Sequence, residues 1–278
     1  MIGANCLFLS NMVPVSSMIA MGDCALVGVA VPVALAWWLV KKYKARLSTI
    51  LIGAGVFIVF ALLLEPVVHQ IVLKGPHGPA IMGNVWFYAL YGGLAAGFFE
   101  ETGRFLAMKY LLRKEPSKAL PAISYGAGHG GVEMILIFGL TMISNLVLSV
   151  MINSGAADML LAAAPANALE QVQGQFEQLE TAAAGSFFLG VWERISALIL
   201  QLGLSILVWS AVRKGGRWLW LFPAAILLHF LVDACAVVIS KNASMVFTEV
   251  VIFAMALAVG AMGFLLARKL DQEAEKAV

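Results

Sequence analysis

The sequence has 278 residues, 62% of them hydrophobic and 12% charged, with a mean hydropathy of +0.92. A soluble domain carries about a quarter charged residues, so this chain has too little polar surface to cover a water-soluble globule, and a lipid bilayer is the solvent that suits it. A net charge of +2 without any long basic run excludes a nucleic-acid partner.

No Lys or Arg precedes the first apolar stretch, so that stretch lacks the charged leader of a signal peptide and reads as a retained span. Seven stretches reach the roughly 20 residues needed to cross a bilayer: 14–40, 48–72, 84–111, 121–152, 186–212, 217–240 and 245–267. They are separated by clusters such as Lys41-Lys42-Tyr43-Lys44, Lys74-Gly75-Pro76 and Arg213-Lys214-Gly215-Gly216-Arg217. Lys/Arg residues collect on one side of this alternation: Lys41, Lys42, Lys44 and Arg46, then Lys109, Arg113, Lys114 and Lys118, then Arg213, Lys214 and Arg217, then Arg268, Lys269 and Lys276. The other side has only Lys74 and Lys241. By the positive-inside rule the N-terminus is outside and the C-terminus cytoplasmic.

The expected fold is an all-α, polytopic helical bundle in one integral membrane domain over 1–278, in the cell membrane. The loop over 153–185 has no Lys or Arg, and its part 166–184, rich in Ala, Gln and Glu, predicts a short helix outside the bilayer. Cys6, Cys24 and Cys235 show no metal-binding spacing and read as free thiols on apolar helices. Trp37, Trp38, Trp86, Trp209, Trp218 and Trp220 lie near span ends, where an aromatic belt sits. Asp23, Glu65 and Glu249 fall near outer span ends and read as interfacial, and His69 and His77 as solvated.

Nine ionisable residues fall within the spans: Glu100, Glu101, Arg104, His129, Glu133, Glu193, Arg194, His229 and Asp233. Each such charge near the bilayer centre costs about 2.5–3.5 kcal/mol on insertion scales, so they must face one another or a water-filled cavity. Glu100 and Arg104 share a face at i,i+4, continued by Gly93 and Gly97, which allow close helix approach. Gly126, His129 and Glu133 form a similar stripe, and His229 and Asp233 are again i,i+4. At 1.5 Å per residue, Glu100 and His229 lie roughly 18 Å, and His129 roughly 15 Å, from the cytoplasmic ends of their spans. Three helices therefore present polar groups at one depth. Glu193 and Arg194 sit nearer the outer face and are divided between mutual pairing and a part in the site.

Such a set can activate water. A glutamate held off bulk solvent can act as general base, an adjacent arginine can fix one of two paired carboxylates as an anion, and histidines can donate to a developing oxyanion. The segments Glu100-Glu101-Thr102-Gly103-Arg104, Gly128-His129-Gly130-Gly131-Val132-Glu133 and His229-Phe230-Leu231-Val232-Asp233 resemble the three motifs of the YhfC group of intramembrane proteases, which is similar to the wider CAAX-protease and PrsW superfamily. The resemblance covers roughly 84–240. It implies a glutamate-dependent protease that acts on a membrane-embedded or membrane-associated protein or peptide and requires no cofactor. Glu100 would activate the water, Glu101 and Arg104 would order it, His129 would position it, and His229 and Asp233 would form or support the oxyanion site. Glu133 matches the acidic position of the PrsW-type second motif. Two departures stand out: Arg104 is closer to the glutamates than the basic residue commonly is in CAAX proteases, and Asp233 replaces their asparagine, so that Asp233 orients His229 rather than contacting an oxyanion.

Two rival functions use the same residues. A zinc metalloprotease could take His129, Glu133, His229 and Asp233 as ligands, although no HExxH helix is present. A proton-coupled transporter would also carry intramembrane Glu, His and Arg, but the internal symmetry of many transporters is missing.

Overall fold

The computed structural model describes residues 12–165 and 168–276. Cys6 lies outside the described residues, as do Ala166 and Asn167 of the predicted loop helix. Among the described residues every regular element is helical: α1 (Val15–Tyr43), α2 (Leu47–Leu73), α3 (Gly78–Met82), α4 (Val85–Leu106), α5 (Ala119–Asn153), α6 (Ala157–Ala163), α7 (Leu169–Thr181), α8 (Ala184–Lys214), α9 (Leu221–Asn242) and α10 (Met245–Lys276). Six of these, α1, α2, α5, α8, α9 (with its leading turn from Gly216) and α10, are long and apolar enough to cross a membrane. The chain is an all-α, multi-pass membrane protein. Helix α4, the remaining segment of the expected seven, has 22 residues but carries Glu100, Glu101 and Arg104. Large apolar side chains such as Ile71, Trp86, Phe98 and Leu265 are exposed, as lipid contact requires.

Two compact units make up the chain, Met1–Gly28 with Leu136–Val191, and Val29–Ile135 with Trp192–Val278. In the first, Val13, Met21, Cys24, Phe138, Met142, Phe176 and Leu179 form an apolar core. Asn153 ties the start of the described chain to α5, accepting from Val13 N–H at 2.7 Å and donating to its carbonyl at 3.0 Å. The predicted loop helix is α7, docked through Phe176 and Leu179, and α6 precedes it.

The second unit holds all the motif residues. Its helices meet through glycines, as close packing in a membrane favours. Gly53 of α2 abuts the Tyr125 carbonyl of α5, and Gly128 of α5 abuts the Ile50 carbonyl of α2. A Cβ on Gly93 would lie 2.8 Å from the Phe230 carbonyl, and one on Gly97 the same distance from that of Ile226, so α4 and α9 are in backbone contact. Gly203 of α8 and Gly263 of α10 meet in the same manner.

Among the described residues three stretches are π-helical: Ile58–Leu64 in α2, Ala107–Leu111 following α4, and Met134–Gly139 in α5. They stand beside Glu65, three residues past Arg104, and beside Glu133 respectively. A π turn widens the helix and redirects the side chains that follow it, and such turns recur at functional sites.

Four expectations change. Trp209 is fully buried, donating to the Lys118 carbonyl at 2.8 Å with Arg213 stacked on its ring at 4.2 Å, so it is a core residue and not a belt residue. Glu65 and Glu249, read as interfacial, are buried by protein rather than open to solvent. His69, expected to be solvated, is bonded to both Glu65 and Tyr91 and keeps about a third of its side chain exposed. His77 is exposed as expected, Asp23 is exposed too, and Cys24 and Cys235 are free thiols.

Candidate active site

Helices α4, α5, α8 and α9 bring the motif residues together within the second unit. Asn84 caps α4, accepting from the Trp86 and Phe87 amides, and the Gly93 and Gly97 contacts seat the helix on α9. That register faces Glu100 and Glu101 toward different partners, since neighbours at i,i+1 diverge around a helix.

Glu100 faces α5. Its Oε2 accepts from His129 Nε2 at 2.8 Å, and both side chains are buried. Glu101 faces α9 and has no exposure. It accepts from Arg104 Nη1 through both oxygens, at 2.5 and 2.6 Å, and from His229 Nδ1 at 2.9 Å. Arg104 therefore anchors Glu101 at i,i+3, and not Glu100 at i,i+4. An ionised carboxylate only accepts, so the imidazole N–H donates in each histidine pair. His229 Nε2 points toward Asp233 Oδ2 at 3.6 Å, beyond a direct hydrogen bond. Glu101, rather than Asp233, is thus the residue that orients His229.

Gln201 of α8 joins these pairs. Arg104 Nη2 donates to its Oε1, which fixes the orientation of the amide because a guanidinium cannot accept. Its Nε2 then donates to Glu100 Oε2 at 2.9 Å and to Glu133 Oε2 at 3.0 Å. Arg194 supports Glu133 from the other side at 3.1 Å and also binds Glu193, so the adjacent pair enters the site through the arginine. Gln201 carries no charge and belongs to none of the three motifs. The one sequence signal for it was a buried-type helix with a lone amide among apolar and small residues.

Glu100, His129 and Glu133 each offer a ligand atom, and the three atoms lie within 4.8 Å of one another. The donors are one nitrogen and two oxygens, atom types that zinc accepts. Both carboxylates are held by further partners, Gln201 and Arg194, as ligating carboxylates usually are. Among the described residues His129 Nδ1 is buried without a partner, and the ring of His129 has those of Phe57 and Tyr125 at centroid distances of 5.1 and 5.9 Å. Glu100, His129 and Glu133 thus fit a metal by donor type, spacing and support of the carboxylates. Of the four ligands expected from sequence, His129 and Glu133 are in this group with Glu100, whereas His229 and Asp233 stand with Glu101.

The profile of the YhfC intramembrane metalloprotease family matches residues 27–256. The chain belongs to the YhfC family. It is 42% identical over 213 residues to the uncharacterized membrane protein YhfC of Bacillus subtilis (strain 168), covering 76% of this chain and 80% of that protein. No solved structure matches. Membership in this family supports a protease that works within the membrane, and the matched segment includes every residue of the buried cluster.

Proposed function

We propose that this YhfC-family chain hydrolyses a peptide bond of a membrane-embedded or membrane-associated substrate, and that Glu100, His129 and Glu133 form its reactive centre and hold a zinc ion. The observation that carries the reading is the buried approach of those three side chains, from two helices, with Gln201 bridging the carboxylates. Zinc, when bound, supplies Lewis-acid activation of water and of the scissile carbonyl. The chain's own residues do the rest. Gln201 and Arg194 keep the Glu100 and Glu133 carboxylates aimed at the centre. Arg104 and Glu101 lock the His229 ring, and in its imidazolium form, which donates from both nitrogens, Nε2 is free to donate to the oxyanion that develops at the scissile carbonyl. Asp233, 3.6 Å from that nitrogen, is placed to balance the positive charge of the ring. In this scheme Asp233 does not contact the oxyanion.

The direct 2.8 Å bond between His129 and Glu100 favours a second reading, in which Glu100 takes the proton of an attacking water without a cofactor and His129 orients it. The two differ in what Glu100 does, as ligand or as base. We also take the chain as one integral membrane domain with seven spans and a motif-bearing core over 84–240, related to the CAAX-protease and PrsW enzymes. Zinc analysis of the purified full-length protein separates the readings. The metal reading expects about one zinc per chain, lost in His129→Ala and Glu133→Ala. Folded, active protein without metal would leave the glutamate-base reading.

A further inference from the structure

We propose that Glu65, His69 and Tyr91, together with Asp233, line a polar file that admits water to the Glu100 centre from the end of the helices that carries Lys74 and Lys241. The inference rests on the hydrolytic reading above and adds the route by which the co-substrate arrives. Hydrolysis consumes one water, its OH going to the carbonyl carbon and its remaining H to the leaving nitrogen, and the hydrocarbon core supplies none.

Glu65, His69 and Tyr91 belong to none of the motifs. Glu65 is 8% exposed and pairs with His69 Nε2 at 3.1 Å, and His69 Nδ1 meets Tyr91 Oη at 2.8 Å. This links α2 to α4. The His69 side chain is 33% exposed, so the chain of polar groups opens at that end.

Helix register carries the file inward. His69 meets Tyr91, while Val56 and Phe60 meet Gly103, so α2 and α4 run antiparallel and Glu65 is level with about Ala95. On the α9 side, Gly93 abuts Phe230 and Ala234, and Gly97 abuts Ile226. Those contacts put His229 level with about Ala96, and Asp233 with about Gly92. Glu65, Asp233 and His229 therefore share one depth to within about a helical turn. Glu65 is also within electrostatic range of Glu100, His229 and Asp233.

Two further observations point to water. The Asp233 side chain is 36% exposed although it lies about 14 Å from the Asn242 end of α9. A carboxylate at that depth, about half the 30 Å hydrocarbon core, faces the bundle interior or a water-filled cavity rather than lipid, and its exposure favours the cavity. Helix α2 is also loosened at this level. Glu65 N–H reaches back five residues to Phe60, and Pro66 donates no backbone bond, which leaves a carbonyl of the preceding turn for water to bind.

The test uses the full chain in lipid vesicles and hydroxyl-radical footprinting, which labels side chains beside bound water. Tyr125, buried next to His129 with an unpartnered hydroxyl, is the reporter at the centre. Tyr91 is the reporter at the entrance. Glu65→Leu should lower Tyr125 labelling and substrate cleavage in parallel, by about tenfold, the order of one well-bound water lost. Glu65→Gln, which still hydrogen-bonds water, should recover most of both. Should Glu65→Leu fail to fold, His69→Leu at the more exposed position makes the same prediction. A folded Glu65→Leu or His69→Leu protein with wild-type Tyr125 labelling would overturn the proposal. So would a Glu65→Gln protein as impaired as Glu65→Leu, because the role would then belong to charge and not to water. Labelling that follows the prediction, in a chain whose wild type and Glu100→Gln variant give identical proteolytic products, would uphold the file and reject the protease reading.

Discussion

Replacing Gln201 by Leu keeps the side-chain volume and the helix propensity while removing the amide. Two donated hydrogen bonds, to Glu100 and Glu133 at 2.9 and 3.0 Å, and one accepted from Arg104 are lost together. Hydrogen bonds to charged groups contribute about 1.5–3 kcal/mol each, and a buried group left without its partner costs about as much. Gln201 is only 2% exposed, so water does not take the place of the amide. The three bonds share one network and are not additive, so a total loss on the order of 3–5 kcal/mol follows, a large part of the stability of a typical domain. In a thermal melt of the purified protein in detergent this is a fall on the order of 10 °C, and cleavage should drop by at least about a hundredfold. Gln201→Glu should fare no better, since it sets an acceptor against two carboxylates. A Gln201→Leu protein with a wild-type melting temperature and wild-type activity would refute the bridging role.

Two further predictions concern the same cluster. Arg104→Lys should leave folded protein with at least about tenfold lower cleavage, because one ammonium does not replace two guanidinium nitrogens holding Glu101 and Gln201 at once; activity within twofold of wild type would count against that arrangement. Gly128→Val should abolish accumulation of folded protein, because the added Cβ meets the Ile50 backbone and forces α2 and α5 apart at a cost beyond the usual 1–3 kcal/mol or so of overpacking; expression and gel filtration read this directly.

Much of the site was legible because a charge within an apolar span needs a partner. Glu100, His129 and His229 could be placed at one depth from spacing alone, with Glu101, Arg104 and Glu133 within about a helical turn of them, and the structure joins all six in one buried network. Pairing was less legible. On a helix face i,i+3 and i,i+4 are both neighbours, so spacing could not say that Arg104 takes Glu101 and leaves Glu100 to His129. Gln201 escaped because an amide is neutral and a search for buried charge passes over it. Glu65 was read as interfacial from its place near a span end, but position along the chain does not say which way a side chain faces, and here it is buried beside the π turn over Ile58–Leu64. Trp209 shows the same limit, since an amphipathic ring near a span end suits a membrane belt or a core hydrogen bond equally, and here the Lys118 carbonyl decides. The glycines of the α2–α5 and α4–α9 contacts were legible as permission for close approach, but which helices they would join was set by tertiary packing.

The most direct test of the central claim compares the N-termini of membrane proteins in two cultures, one expressing the wild-type chain and one expressing Glu100→Gln at equal abundance. The account predicts peptide ends, within or beside spanning segments, that are present with the wild type and missing with Glu100→Gln. Identical sets of ends, with both proteins folded and in the membrane, would contradict an intramembrane protease centred on Glu100.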